Sequence, residues 1–134
     1  MVLIRRSMGK RTLGKLAVEQ LGPGLDLGLL GVVDAIEEGA TPEGELSVGV
    51  VAERMGVDPS RGSRLVARAI EAGYVSRLPA QDDGRRVQLA LTAEGGALSE
   101  AMHRFRQAHF ALRMRGWSAR DRREFARLLT RFVA

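Results

Sequence analysis

Apolar residues along the chain fall into blocks with the i, i+3, i+4 spacing of amphipathic helices, separated by glycine, proline and acidic breaks. The segment ending at Gly22 predicts a basic amphipathic helix, with Leu13, Leu16 and Ala17 on one face and Leu21 continuing it. Gly22, Pro23 and Gly24 interrupt it, and Asp26 is placed to cap a second helix whose Leu29, Leu30, Val32, Val33 and Ile36 form a wide apolar face. Asp34, Glu37 and Glu38 are expected on its outward side. After the turn-rich GATPEGE loop, Ser47 can cap a short helix running through Val50, Val51, Ala52 and Met55 to a stop at Gly56. Asp58 followed by Pro59 predicts a fourth helix over Pro59 to about Ala72, stopped by Gly73.

Two helices of this size joined by the tight MGVDP turn make a helix-turn-helix pattern. The run YVSRLPAQDDGRRVQLALT has two extended arms around a polar DDG tip, a β-hairpin with Val87, Leu89 and Leu91 alternating on one face. Thr92 can cap a long helix through about Met114, along which Leu98, Met102, Phe105, His109 and Leu112 follow helical spacing. Ser118 with Asp121 three residues on has the form of a capping box, opening a last helix that presents Phe125, Leu128, Leu129, Phe132 and Val133. The fold class expected is mainly α with a small β-wing (α+β). Residues 1–134 would form one domain, with the helix-turn-helix and hairpin over 46–92 and helical segments over 1–24 and 93–134 on either side.

A length of 134 residues suits one domain. Hydrophobic residues make up 45% and aromatics only 4%, so the core must be mainly aliphatic, which suits helices. The start MVLIRRSMGKR lacks the apolar stretch of a signal peptide, and no apolar run reaches the roughly 18 residues of a membrane span, so a cytoplasmic location is expected. The absence of cysteine removes disulfides, thiolate zinc sites and cysteine redox sensing from consideration. His103 and His109, six apart, are poor evidence for a metal site; no metal and no cofactor is expected. His103 falls on the polar side of its helix and His109 on the apolar stripe, as a core or interface histidine.

The net charge of +5 is unevenly placed. Residues 1–20 carry five Lys or Arg against one acid, 21–53 carry seven acids and no Lys or Arg, and both 54–92 and 93–134 are basic again through arginine. Such a distribution suits a polyanionic partner. Projected at about 100° per residue, the fourth helix gathers Leu65, Val66, Ala69 and Ile70 on one arc and Arg61, Arg64 and Arg68 opposite, with Ser60 beside them. A major groove about 12 Å wide admits such a helix. The same arginines would equally make a solvated face on a core helix, and the turn before and hairpin after them favour the groove. At the hairpin tip Asp83 is close enough in sequence to orient the Arg85 guanidinium, a group suited to a narrow minor groove; a hairpin turn kept polar for solubility is the alternative.

The segment from Val48 to Gly95 resembles the MarR family of bacterial transcriptional regulators. The resemblance is carried by the Asp-Pro-Ser opening with Ser63-Arg64-Leu65, the Gly73-Tyr74-Val75 exit into a strand, and Asp83-Gly84-Arg85-Arg86 followed by Leu91-Thr92 and Gly95. It implies a repressor binding a pseudo-palindromic operator in double-stranded DNA as a homodimer, a small-molecule effector being an open possibility. Ser60, Arg61, Ser63, Arg64 and Arg68 would contact DNA from the recognition helix. Arg77, Asp83, Arg85 and Arg86 would do so from the wing, with Arg85 in the minor groove and Arg86 on phosphate. With 46–92 as the DNA-binding helix-turn-helix and wing, 1–24 and 93–134 would be dimerisation helices, through Leu13, Leu16, Trp117, Phe125, Leu129, Phe132 and Val133. Gly62 departs from the apolar side chain expected there; it either admits a close helix approach or loosens the motif by roughly 1 kcal/mol against Ala. No phosphate loop, nucleophile motif or His-carboxylate constellation points to an enzyme. The competing reading is a winged helix used for protein contact or as a non-specific DNA-binding architectural protein.

Overall fold

The computed structural model describes residues 15–22, 24–79 and 87–134. Residues 15–21 are helical and are labelled α1. There follow α2 (Leu27–Glu37), α3 (Val48–Met55), α4 (Pro59–Glu71), β1 (Val75–Pro79), β2 (Val87–Leu91), α5 (Ala93–Arg113) and α6 (Ala119–Val133). The helix starts are set by local chemistry. Asp26, Ser47, Asp58, Thr92 and Ser118 each accept a hydrogen bond from a backbone N–H in the first turn of α2, α3, α4, α5 and α6 respectively. Pro59 occupies the first turn of α4, where its missing N–H costs nothing.

The core has two parts, and α2 belongs to both. Leu29, Val32 and Ile36 pack with Val50 and Val51 of α3, Leu65, Val66 and Ala69 of α4, and Val75 and Leu89 of the hairpin. Leu30 and Val33, turned the other way, pack with Ala17 of α1 and Leu98 and Met102 of α5. Tyr74 and Leu91 touch both clusters and join them. The wide apolar face predicted for this helix is therefore a two-sided spine between a helix-turn-helix lobe and a helical lobe.

The strands pair antiparallel, with Val75 opposite Leu91 and Pro79 opposite Val87. The expected outward side of α2 is answered by long basic side chains: Arg106 donates to Asp34 at 2.6 Å, His103 lies 2.6 Å from Glu37, and Arg54 lies 3.5 Å from Glu38. Beyond Arg106, α5 leaves the body. His109 is half-buried between the rings of Phe105 and Phe110, at 6.4 and 6.1 Å. In α6 no residue is buried within the chain; Trp117 and Phe125 meet edge to face at 5.5 Å, and Leu128, Leu129, Phe132 and Val133 are exposed. No described helix is long and apolar enough to cross a membrane.

Candidate nucleic-acid interface

The α3–turn–α4 unit is held by backbone chemistry at the turn and by a missing side chain at the crossing. Gly56 adopts φ 68°, a left-handed conformation that costs a glycine little, and Val57 N–H then bonds back to the Ala52 carbonyl while Gly56 N–H bonds to Glu53. At the crossing, a Cβ on Gly62 would lie 2.5 Å from the Ala52 Cβ and 3.2 Å from its Cα. Of the two readings the sequence left for Gly62, the structure supports close approach of the helices.

With Gly62, Leu65, Val66 and Ala69 buried against α2 and α3, the opposite face of α4 is turned to solvent. Ser60, Arg61, Ser63, Arg64 and Arg68 are all exposed. They are not equivalent. Of these five, Ser60 and Arg64 lie furthest around the helix from the buried arc, whereas Arg68 pairs with Asp26, the residue that caps α2 with a 2.9 Å bond from the Leu29 amide. Burial pushes the Asp26 carboxyl upward, but the Leu29 amide, Arg68 and the Gly28 amide outweigh it and hold the group below its ordinary value. A Cβ on Gly28 would sit 2.7 Å from a methyl of Leu65, so the start of α2 packs close against α4 beside this pair.

Arg61 and Arg68 also line a cleft of about 490 Å³ between α1, the start of α2 and α4, with Lys15, Val18, Glu19, Asp26, Leu27, Gly28 and Leu65. On the hairpin, Arg77 is exposed opposite Leu89. Asp83, Arg85 and Arg86 lie outside the described residues, as does Leu13 among the expected dimer contacts. Leu16 is half-buried beside Ala17. Trp117 meets Phe125, and Leu129, Phe132 and Val133 are exposed along the same helix, none of them in either core cluster.

Sequence reasoning missed three side chains that hold these surfaces: Asp26 in its second role, Arg54, and Gln88. Arg54 on α3 donates to the carbonyls of Ala35 and Gly39 at the end of α2, satisfying acceptors a helix terminus leaves open. Gln88 on β2 bonds the loop before α3. An N-cap aspartate with a spare oxygen and a glycine two residues on was the one available signal, and it pointed to the close approach at Asp26 only.

This arrangement is shared. The MarR family model matches residues 24–86, which hold α2, the helix-turn-helix and the first wing strand. Over that segment, just under half of its length, the chain resembles the MarR family. An HTH-type transcriptional regulator of Mycobacterium bovis is 35% identical over 72 residues, 54% of this chain and 50% of that protein. This chain thus spans about half the length of the curated relatives it matches. The fold extends further than the sequence likeness. A MarR family protein from Bacillus stearothermophilus superposes with a TM-score of 0.74 at 22% identity, covering 97% of this chain and 86% of that one. The RV1404 protein of Mycobacterium tuberculosis superposes with a TM-score of 0.72, also at 22% identity and the same coverage. The superpositions show that the six described helices and two strands follow the winged-helix fold of that MarR family protein.

Proposed function

We propose that this chain is a cytoplasmic transcriptional regulator of the MarR type that binds a pseudo-palindromic operator in double-stranded DNA as a homodimer and represses by occupying it. The observation that carries the reading is the solvent face of α4. A helix fixed at its start by Asp58 and Pro59 and seated by Gly62 presents Ser60, Arg61, Ser63 and Arg64 with no partner element over them among the described residues. N-terminal side chains of such a helix reach base edges when it enters the major groove, and arginine contributes the bidentate geometry that guanine rewards. In this reading Arg64 and Ser60 face bases, Arg61 and Ser63 approach base edges or phosphates, and Arg68 sets the helix through Asp26. Arg77 and Arg86 are assigned to phosphate and Arg85 to the minor groove with Asp83 orienting it.

The exposed apolar residues of α6, with α1 and the free half of α5, form the proposed dimer contact. Pairing two copies puts two recognition helices on successive half-sites, about one helical turn apart. Release by a small effector is assigned to the cleft beside α4, where an organic anion would meet Lys15, Arg61 and Arg68 and compete with Asp26 for the arginine. Selection of duplexes from a random-sequence pool tests the proposal. The expected result is an inverted repeat bound by a dimer, with benzoate at constant ionic strength lowering occupancy more than chloride does. Recovery of unrelated sequences with equal affinity would support the architectural alternative instead.

A further inference from the structure

Among the described residues the outermost hydrogen bonds from the stem of the wing to the rest of the protein are made by a side chain. The loop ahead of α3 closes on itself: Thr41 N–H bonds the Glu45 carbonyl at 2.8 Å, Gly44 N–H bonds the Thr41 carbonyl at 2.8 Å, and Glu45 N–H bonds the Thr41 hydroxyl at 3.1 Å. Its last residues then run beside β2. Among the described residues one backbone bond joins them, from Leu89 N–H to the Leu46 carbonyl at 2.8 Å. The Gln88 amide supplies two more. Its Oε1 accepts from Leu46 N–H at 2.6 Å and its Nε2 donates to the Gly44 carbonyl at 3.1 Å.

Position in the fold gives this contact its meaning. Leu46 and Leu89 are buried in one core, and Ser47, the next residue, caps α3. One pair further out, Pro79 and Val87 are both exposed. Among the described residues Gln88 is therefore the outermost of β2 hydrogen-bonded to the body. Without its amide the final anchor retreats by one residue, about 3.3 Å along the strand, and the part-buried Leu46 N–H loses its acceptor.

We infer that Gln88 is a positioning residue that fixes the angle of the wing against the helix-turn-helix, so that both reach DNA in one docking. The inference rests on the DNA-binding reading above. Gln88 touches no base or phosphate in this role; it acts by tying β2 to the loop that starts α3.

The test compares wild type with Gln88→Met, which keeps the stem length and removes both bonds, and with Gln88→Ala. Two duplexes are used: the one selected by the wild type, and the same half-sites with their outer flanks scrambled. The expected result is about a tenfold loss on the selected duplex, in line with losing one to two net hydrogen bonds, and no more than a twofold change on the scrambled one. In the free protein the Leu46 amide should exchange with solvent faster in the variant while the amides of α4 do not. An equal loss on both duplexes, or no loss on either, overturns the inference. A variant that fails to fold leaves the wild type as arbiter: slow exchange at Leu46 supports the strap, and exchange as fast as in open loop overturns it. A wild type that selects no sequence would overturn the regulator reading and this inference together, whereas a selective wild type with flank-independent loss in the variant counts against Gln88 alone.

Discussion

Position 62 is where the geometry is least forgiving. The α3–α4 crossing leaves no room for a methyl group, because the nearest atoms belong to Ala52, including its backbone Cα, and cannot swing aside. Gly62→Ala gains helix propensity of roughly 1 kcal/mol and meets an overpacking cost of typically 1–3 kcal/mol. The net outcome expected is a lower urea midpoint with an unchanged slope; a rise in midpoint would mean the helices separate freely. Gly62 was legible as an oddity and not as a contact, since a helical projection gives direction around an axis and says nothing of how near the next axis lies. The same limit hid the partner of Arg68. Its place among the arginines of one face was readable, but Asp26 lies 42 residues away in sequence and reaches it only once α2 and α4 have packed.

Helix starts were the most legible elements, because a cap involves residues three apart and no tertiary contact. Ser118 shows this well: exposed and away from any core, it accepts from the Asp121 amide at 3.0 Å, the N-cap half of the expected capping box. The hairpin arms and the stops at Gly56 and Gly73 were legible for the same reason. Less legible was the way α2 divides its apolar face between two lobes, which depends on where α1 and α5 come to rest. The pairing of α2 with α4 through Asp26 carries an acid signature. A carboxyl whose value in the folded protein is depressed adds stability that is present above its ordinary range and is lost as pH falls through and below it. Asp26→Asn keeps an effective cap, so at neutral pH it should lose the Arg68 attraction alone, and its stability should decline less steeply in acid than that of the wild type. Urea unfolding from neutral pH downward checks this; parallel curves for the two proteins would contradict it. The pair is exposed at 52% and 44%, so solvent screening keeps the effect small.

Over the whole molecule, the uneven charge visible in the sequence takes two separate roles. The acidic stretch supplies α2, whose carboxylates pair with Arg54, His103 and Arg106 of the same chain, while Arg61 and Arg64 remain outward on α4. Apolar surface is divided in a similar way. Apart from exposed Leu27 and part-buried Val48, the Leu and Val residues of α2 to α4 are buried, and the large side chains of α6 are left outside, with Phe125 and Leu129 each 40% exposed and Phe132 60% exposed. Patches of that kind on a small protein mark association surfaces. Phe125→Asp with Leu129→Asp should turn a dimer into a monomer in sedimentation velocity while leaving the helical circular dichroism of the lobes in place, and should abolish operator binding at concentrations where the wild type saturates. A double variant that remains dimeric would move the interface elsewhere. The sequence showed that α6 is amphipathic; it could not show that its apolar side faces away from the chain's own core, because that depends on the direction in which α5 departs.

The account depends most on Arg64 and its face of α4 discriminating between DNA sequences. The ratio of affinities for the selected duplex and for a scrambled duplex of equal length, measured at one fixed salt concentration for wild type and Arg64→Ala, addresses this directly. The wild-type ratio should be about a thousandfold or more, and Arg64→Ala should lower selected-duplex binding by roughly 1–3 kcal/mol with little change on the scrambled one. Equal losses on both duplexes, or a wild-type ratio near one, would contradict it.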